Sequence, residues 1–236
     1  MFHRKFPDKK LTIYRLRKVY REHGIKRKKI RNTKVITESQ KKKIYGEAVE
    51  ARDRLQELEA EGYRILFVDE IVTTKSTIPS HEYSAPNRPF RVDFKQFQSS
   101  CIATVAAISH EKGVDHVMNF PSSVDRHKFI QFVNQVARKN KGQKIAMFMD
   151  RLNVHRSPVV QAKMDAHGIK CIFNASYSPD YNPIEGVFAV TKNYVKRERL
   201  KAIIHRKRVQ LEALILSSFK QVDKQSIQNL IFKSIN

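Results

Sequence analysis

The sequence of 236 residues contains no apolar run approaching the ~20 residues that a bilayer-spanning helix needs. Nor does a secretory leader precede its basic N-terminus. Both absences argue against a membrane partner and against export. Cysteine is scarce: Cys101 and Cys171 are the only two, each in an apolar, strand-like segment. They form no Cys/His zinc cluster, and they predict two buried thiols in a reducing compartment. The Asn174-Ala175-Ser176 sequon is then incidental. Acids are few as well, 23 Asp and Glu against 46 Lys and Arg, for a net charge of +23 and a pI near 10.1. Such an excess calls for a polyanionic partner. Nucleic acid is the first candidate and an anionic membrane surface the second. The hydrophobic fraction of 41% is compatible with one sizeable core plus a small appendage and argues against wholesale disorder.

The charge is unevenly spread. Residues 1–43 hold 17 Lys/Arg against Asp8, Glu22 and Glu38, more than half of the net excess. Within them Thr12 is placed to cap a short helix with Ile13, Leu16 and Tyr20 on one face, ending at Gly24. Lys26, Arg27, Lys28, Lys29 and Arg31 follow as five basic residues in six positions. A solvated linker is the plain reading of such a run. A region this lopsided in sign favours contact with phosphates.

Beyond it, the pattern predicts a helix from Thr37 to Glu61, stopped by Gly62, and a strand from Tyr63 that ends at Asp69-Glu70. The polar, turn-rich stretch between Thr73 and Phe97 is expected to hold a second strand around a loop. Strands follow at Ser100–Ser109 and Val114–Phe120, then a helix capped by Ser123 and running to Arg138. Next come a strand ending at Asp150, a helix over Pro158–His167 and a strand at 169–173. Asn182 is expected to cap a helix whose first residue is Pro183, which puts Glu185 in its first turn. Two amphipathic helices, 203–220 and 223–234, close the chain.

Three acids stand out. Ile65-Leu66-Phe67-Val68-Asp69 and Ile145-Ala146-Met147-Phe148-Met149-Asp150 are the same construction, an apolar strand ending in a carboxylate. Acids there are costly unless solvated, paired or bound to a cation. Glu185 on its own is explained by the helix dipole. With two strand-end acids available, it becomes a third member of one metal site.

These residues carry a resemblance. Phe67-Val68-Asp69-Glu70, then Asp150 with His155 five residues on, then Tyr177-Ser178-Pro179-Asp180-Tyr181-Asn182-Pro183-Ile184-Glu185 resemble the three motifs of mariner-type DDE transposases, related to bacterial insertion-sequence enzymes. The 34 residues between Asp150 and Glu185 match one branch of that family. The resemblance runs from about residue 60 to 200. It implies a ribonuclease-H-like fold: an α/β protein with a mixed five-stranded sheet and helices on both faces, here with a basic helical N-terminal segment. The strands bearing Asp69 and Asp150 would lie side by side. The implied domains are a basic remnant of a helix-turn-helix region and linker (1–36), the catalytic domain (37–200) and C-terminal helices packed on it (201–236).

The resemblance further implies cleavage of DNA strands and their transfer during cut-and-paste transposition, with Asp69, Asp150 and Glu185 holding two Mg²⁺ or Mn²⁺ ions. Hard oxygen ligands suit such ions. Glu70 either supports these acids from behind or faces solvent. His155 either touches the site or the DNA, or caps the next helix. Asp180 is read as a turn residue. Lys192, Lys196 and Arg197 form either a solvated helix face or a row of phosphate contacts. The family's usual Asn after the second acid is Arg151 here, which alters a local hydrogen bond or a DNA contact; Asn153 nearby is a substitute. Tyr181 for Leu and Phe188 for Trp are milder departures. The expected partners are double-stranded transposon ends and target DNA, engaged by a homodimer, in the nucleus of a eukaryote or the nucleoid of a bacterium. Only about one helix of a recognition region is expected at the N-terminus. An alternative is therefore a shortened, transposase-derived protein that binds DNA without turning over.

Overall fold

Side chains alternate along Ile65-Leu66-Phe67-Val68, and all four are buried, as in a strand covered on both faces. In the computed structural model, which describes residues 12–24, 37–74, 77–79, 101–176, 178–205, 207 and 209–235, this is strand β1, Arg64–Thr73. Strands β2 (Ile102–Ser109), β3 (Gly113–Pro121), β4 (Ile145–Met149) and β5 (Lys170–Phe173) complete one five-stranded sheet of order β3-β2-β1-β4-β5. The first three strands form an antiparallel meander, whereas β1, β4 and β5 run parallel. The sheet is therefore mixed, as expected. The strand expected between Thr73 and Phe97 falls almost wholly outside the described residues.

Two compact units divide the chain, residues 1–37 and 38–236. In the first, helix α1 (Ile13–Glu22) starts where Thr12 accepts a hydrogen bond from the Arg15 N–H at 3.3 Å, and Gly24 follows it with φ +63°. No side chain of α1 is buried, and Ile13 and Tyr14 are exposed.

In the second unit, helices cover both faces of the sheet. One face packs Ile65, Phe67, Ala146, Phe148 and Ile172 against α2 (Glu38–Ala60), α5 (Ile184–Ile204), α6 (Leu211–Phe219) and α7 (Lys224–Ile235). The other packs Leu66, Val68, Met147 and Met149 against α3 (Arg126–Lys139) and α4 (Pro158–Ala166). Phe67, Phe129, Phe132, Leu58 and Met147 are fully buried, each worth roughly 1.5–3 kcal/mol against exposure. Arg199 of α5 is also buried, and its guanidinium donates to the Thr74 and Thr77 carbonyls at 2.7 and 3.2 Å, fastening the chain that leaves β1.

Several local expectations are corrected. Helix α3 is capped by Asp125, which accepts the Lys128 N–H at 2.9 Å, not by Ser123. Ser122 adopts φ +66°, and Ser123 offers its carbonyl to the Lys128 ammonium at 2.6 Å, so both residues belong to the turn closing β3. Helix α5 runs unbroken to Ile204, and the following helix begins at Leu211 rather than 203. Cys101 and Cys171 are half-buried free thiols rather than core residues. Burial pushes the Cys171 thiol up to about 11.

Candidate active site

Strands β1 and β4 pair in parallel with Phe67 beside Phe148. Continuing that register by two residues brings Asp69 beside Asp150, just past the carboxyl end of the parallel pairing, where open α/β sheets place their sites. Strand β1 does not end at Asp69-Glu70 as expected: it runs on to Thr73, because its other edge stays paired with β2. Asp69 has the strand parity of Ile65 and Phe67, toward the α5 face. Its Oδ1 accepts the Glu70 N–H at 2.7 Å. Burial pushes the Asp69 carboxyl up to about 7, against that hydrogen bond, and the charges of Asp150 and Glu185 raise it further.

Glu185 arrives by a tightly turned route. After β5, Asn174 donates its side-chain N–H to the Ser178 carbonyl at 2.7 Å, and Ser178 Oγ–H donates to the Ser176 carbonyl. Pro179–Tyr181 form one 3₁₀ turn. Pro183, at φ −61°, starts the helical geometry, and the Asn182 backbone carbonyl accepts the Glu185 N–H at 3.2 Å. The Asn182 side chain is not the cap expected of it. It is buried and donates to the Val68 carbonyl at 3.4 Å, tying the loop to β1 one residue before Asp69. Its Oδ1 has no partner. Glu185 itself is exposed in the first turn of α5, so its carboxylate is open to a ligand.

His155 is completely buried, packed 4.5 Å from the Phe129 ring. Its Nδ1 lies 2.8 Å from Asp150 Oδ1, and its Nε2 lies 3.3 Å from Glu70 Oε1. Burial works against the charged ring. The hydrogen bonds to Asp150 and Glu70 outweigh it and raise the imidazole to about 9. Of the two readings of Glu70, the inward one holds: its side chain, on the strand face opposite Asp69, pairs with His155 instead of facing solvent. Gln161 of α4 donates to the His155 carbonyl at 2.6 Å.

Arg151, expected to change a hydrogen bond or reach DNA, is engaged inside the protein. Its Nε donates to the Asn174 carbonyl at 3.0 Å and its Nη1 lies 3.5 Å from Glu47 of α2. Asn153 and Asp180 are exposed. Lys192 and Arg197 are exposed on α5 and Lys196 is half-buried; Lys26, Arg27, Lys28, Lys29 and Arg31 lie outside the described residues. Sequence reasoning missed Glu47 and Gln161. The one signal for Glu47 was an acid standing among Ile44, Ala48 and Ala51 on the inward stripe of an otherwise ordinary helix.

Among the described residues no group of three or more His, Cys, Asp or Glu side chains is gathered so as to hold a metal ion. The donor chemistry nevertheless suits a hard divalent cation: Asp69 and Asp150 are half-buried carboxylates in neighbouring register, and Glu185 is an exposed one in the first turn of α5. A cation there would offset the burial that raises Asp69, and the smaller repulsion from Asp150 and Glu185.

A mixed five-stranded sheet of order β3-β2-β1-β4-β5 with helices on both faces is the ribonuclease-H-like architecture. The family described as DDE superfamily endonuclease matches residues 64–206. The chain belongs to that family, and all three acids lie within the match. No curated protein matches the sequence. Among solved structures, the chain is similar to the Mos1 strand transfer complex (TM-score 0.63, 15% identity, 93% of this chain and 66% of that one). It is equally similar to the Mos1 transposase paired-end complex with left transposon end (TM-score 0.64, 15% identity, the same coverage). The Mos1 transposase catalytic domain with raltegravir and Mn aligns over 86% of this chain and 92% of that one (TM-score 0.56, 13% identity). These likenesses bear out the fold. The chain spans 66% of the length of the Mos1 chains in the first two complexes.

Proposed function

We propose that this chain is a mariner-type transposase whose site cuts and joins DNA strands with the help of divalent cations. The observation that carries the reading is the parallel pairing of β1 with β4, whose register leads to Asp69 beside Asp150, with Glu185 in the first turn of α5. Membership of the DDE endonuclease family supports it, as do solved Mos1 complexes described with transposon ends, Mn and Mg.

In this reading Asp69, Asp150 and Glu185 would hold two Mg²⁺ or Mn²⁺ ions. When bound, such ions supply charge neutralisation at the reacting phosphate and a more acidic attacking hydroxyl. The protein's own residues do the rest. Asp69, fixed by the Glu70 N–H, keeps one carboxylate oxygen engaged and leaves the other for coordination. His155 holds Asp150 through its Oδ1, so that carboxylate presents a fixed face. Asn182, bonded to the Val68 carbonyl, sets the distance between β1 and the helix bearing Glu185. In cleavage, water oxygen attacks phosphorus and the bond to the 3′ oxygen breaks, leaving a 3′-hydroxyl and a 5′-phosphate. In joining, that 3′-hydroxyl loses its proton, attacks a target phosphate and displaces the target's own 3′ oxygen. Lys192, Lys196 and Arg197, further along the same helix, are placed to meet backbone phosphates. A homodimer would align two ends.

A short labelled duplex incubated with the purified chain and Mn²⁺ tests the proposal. Cleavage by the wild type, lost in Asp150→Ala while DNA binding persists, is the expected result. Tight, salt-dependent binding without cleavage by either protein would favour the DNA-binding alternative.

A further inference from the structure

Helix α2 contributes a carboxylate that reaches both loops bearing candidate acids. Glu47 is only 12% exposed at its side chain. Its Oε2 accepts the Ser176 N–H at 2.9 Å, and its Oε1 lies 3.5 Å from Arg151 Nη1. Arg151 follows Asp150 directly, and its Nε donates to the Asn174 carbonyl. Ser176 lies in the loop that leads from β5 to Glu185. One side chain of α2 is therefore joined to the loop after the second acid and the loop before the third, and Arg151 joins those loops to each other. The Glu47 carboxyl is held below the usual carboxylate range, above all by the Ser176 N–H and also by the charge of Arg151, as expected of an ionised acceptor in use.

The constraint answers a physical need. Like-charged carboxylates gathered at one end of a sheet repel, so their spacing must be enforced by neighbours rather than by attraction among themselves. Asp69 is fixed in its strand. Asp150 and Glu185 lie beyond the last hydrogen-bonded strand residue and beyond a turned loop, respectively, and need external support. Arg151 stands where the family usually has Asn, and here it works together with an acid from another helix.

We propose that Glu47 is a positioning residue: with Arg151 it sets the separation of Asp150 and Glu185 and so tunes how tightly the site binds divalent cations. This rests on the cation-dependent reading of the site given above.

The test uses the whole chain with Mn²⁺ as probe. Glu47→Ala removes both interactions. Glu47→Gln keeps an acceptor for the Ser176 N–H but drops the charge facing Arg151. Calorimetric Mn²⁺ titration, amide hydrogen exchange over 174–182 and a thermal melt are read on each. Groups that orient metal ligands from outside typically affect affinity 10- to 100-fold, and Glu47 acts at one further remove, so Glu47→Ala is expected to weaken Mn²⁺ binding by about tenfold. It should also accelerate exchange at Ser176 with little change in melting temperature, and Glu47→Gln should recover the Ser176 protection and part of the affinity. Unchanged Mn²⁺ affinity in Glu47→Ala overturns the proposal, whether or not Ser176 exchange changes. Equal losses in both variants that track a large fall in melting temperature overturn it too, reducing Glu47 to a fold-stability role. If the wild type binds no Mn²⁺, the cation reading of the site fails separately. Ser176 exchange then decides alone: faster exchange in Glu47→Ala sustains the loop-holding role, and unchanged exchange ends it.

Discussion

His155 Nδ1 stands 2.8 Å from Asp150 Oδ1, with the ring wholly buried against Phe129 and its far nitrogen turned to Glu70. A side chain five residues after the second acid thus folds back to hold it. Replacing His155 by Phe keeps the ring volume but deletes both polar interactions and leaves Glu70, itself only 16% exposed, without its partner. Loss of one partner of a buried ionic pair costs about 3–5 kcal/mol when burial is complete. Glu70 retains some solvent, so about 2–3 kcal/mol is expected by urea unfolding. Cleavage by the folded fraction should fall by roughly 10- to 100-fold. A fully active, equally stable His155→Phe protein would contradict this role.

His116 offers a pH test away from the acids. It is buried on β3 beside Phe132, with Lys139 Nζ 2.9 Å from its Nδ1. Burial, then the charge of Lys139, lowers the imidazole to about 4 from an ordinary 6.5. The folded value lies below the unfolded one, so the unfolded chain binds the extra proton first. Stability from this residue is complete above about pH 6.5 and is lost as pH falls toward about 4. Melting temperature should therefore drop more steeply between about pH 7 and 4.5 in the wild type than in His116→Phe, and parallel curves would refute the assignment.

Gly186 follows Glu185 in the first turn of α5, where a Cβ would come within 2.6 Å of Leu230 Cδ2 and 2.9 Å of its Cδ1. Alanine gains about 1 kcal/mol in helix propensity over glycine. Overpacking costs about 1–3 kcal/mol, and Leu230 is a movable side chain that can yield part of it. Gly186→Ala is therefore expected to be neutral to about 2 kcal/mol destabilising. Combined with Leu230→Ala, which makes room, the same substitution should become stabilising relative to Leu230→Ala alone. A double-mutant cycle read by denaturation measures that change of sign.

Phosphate binding along α5 makes a separate prediction. Changing Lys192, Lys196 and Arg197 together to Gln should weaken duplex binding and lower the slope of log affinity against log salt by about 2–3, roughly 0.9 for each phosphate no longer neutralised. An unchanged slope would place the duplex elsewhere on the surface.

Asp69, Asp150 and Glu185 stood out because Asp69 and Asp150 each follow an unmistakable apolar run and Glu185 begins a helix, and because the stretch from Tyr177 to Glu185 is so specific; that β1 continues past Asp69 to Thr73 was not legible. The neighbourhood of β1 and β4 was not legible from periodicity, since parallel pairing across 81 positions of sequence, Arg64 with Ile145, leaves no local mark. Local rules misplaced two caps for different reasons. The Asn182 amide was taken by a tertiary partner, the Val68 carbonyl, whereas at Ser123 a local competitor won, Asp125 two residues on capping the helix while Ser123 stays in the turn. Glu47 escaped notice because its partners, Ser176 and Arg151, lie more than a hundred residues away. Its role exists only once α2 has packed on the sheet.

The central claim is that Asp69, Asp150 and Glu185 form one cation site. Mn²⁺ titration of the purified chain followed by electron paramagnetic resonance addresses it most directly. The account predicts two bound ions close enough for their spins to couple, with the coupled signal abolished by Asp69→Ala. Binding at a single uncoupled site, or a coupled signal that persists in Asp69→Ala, would contradict it.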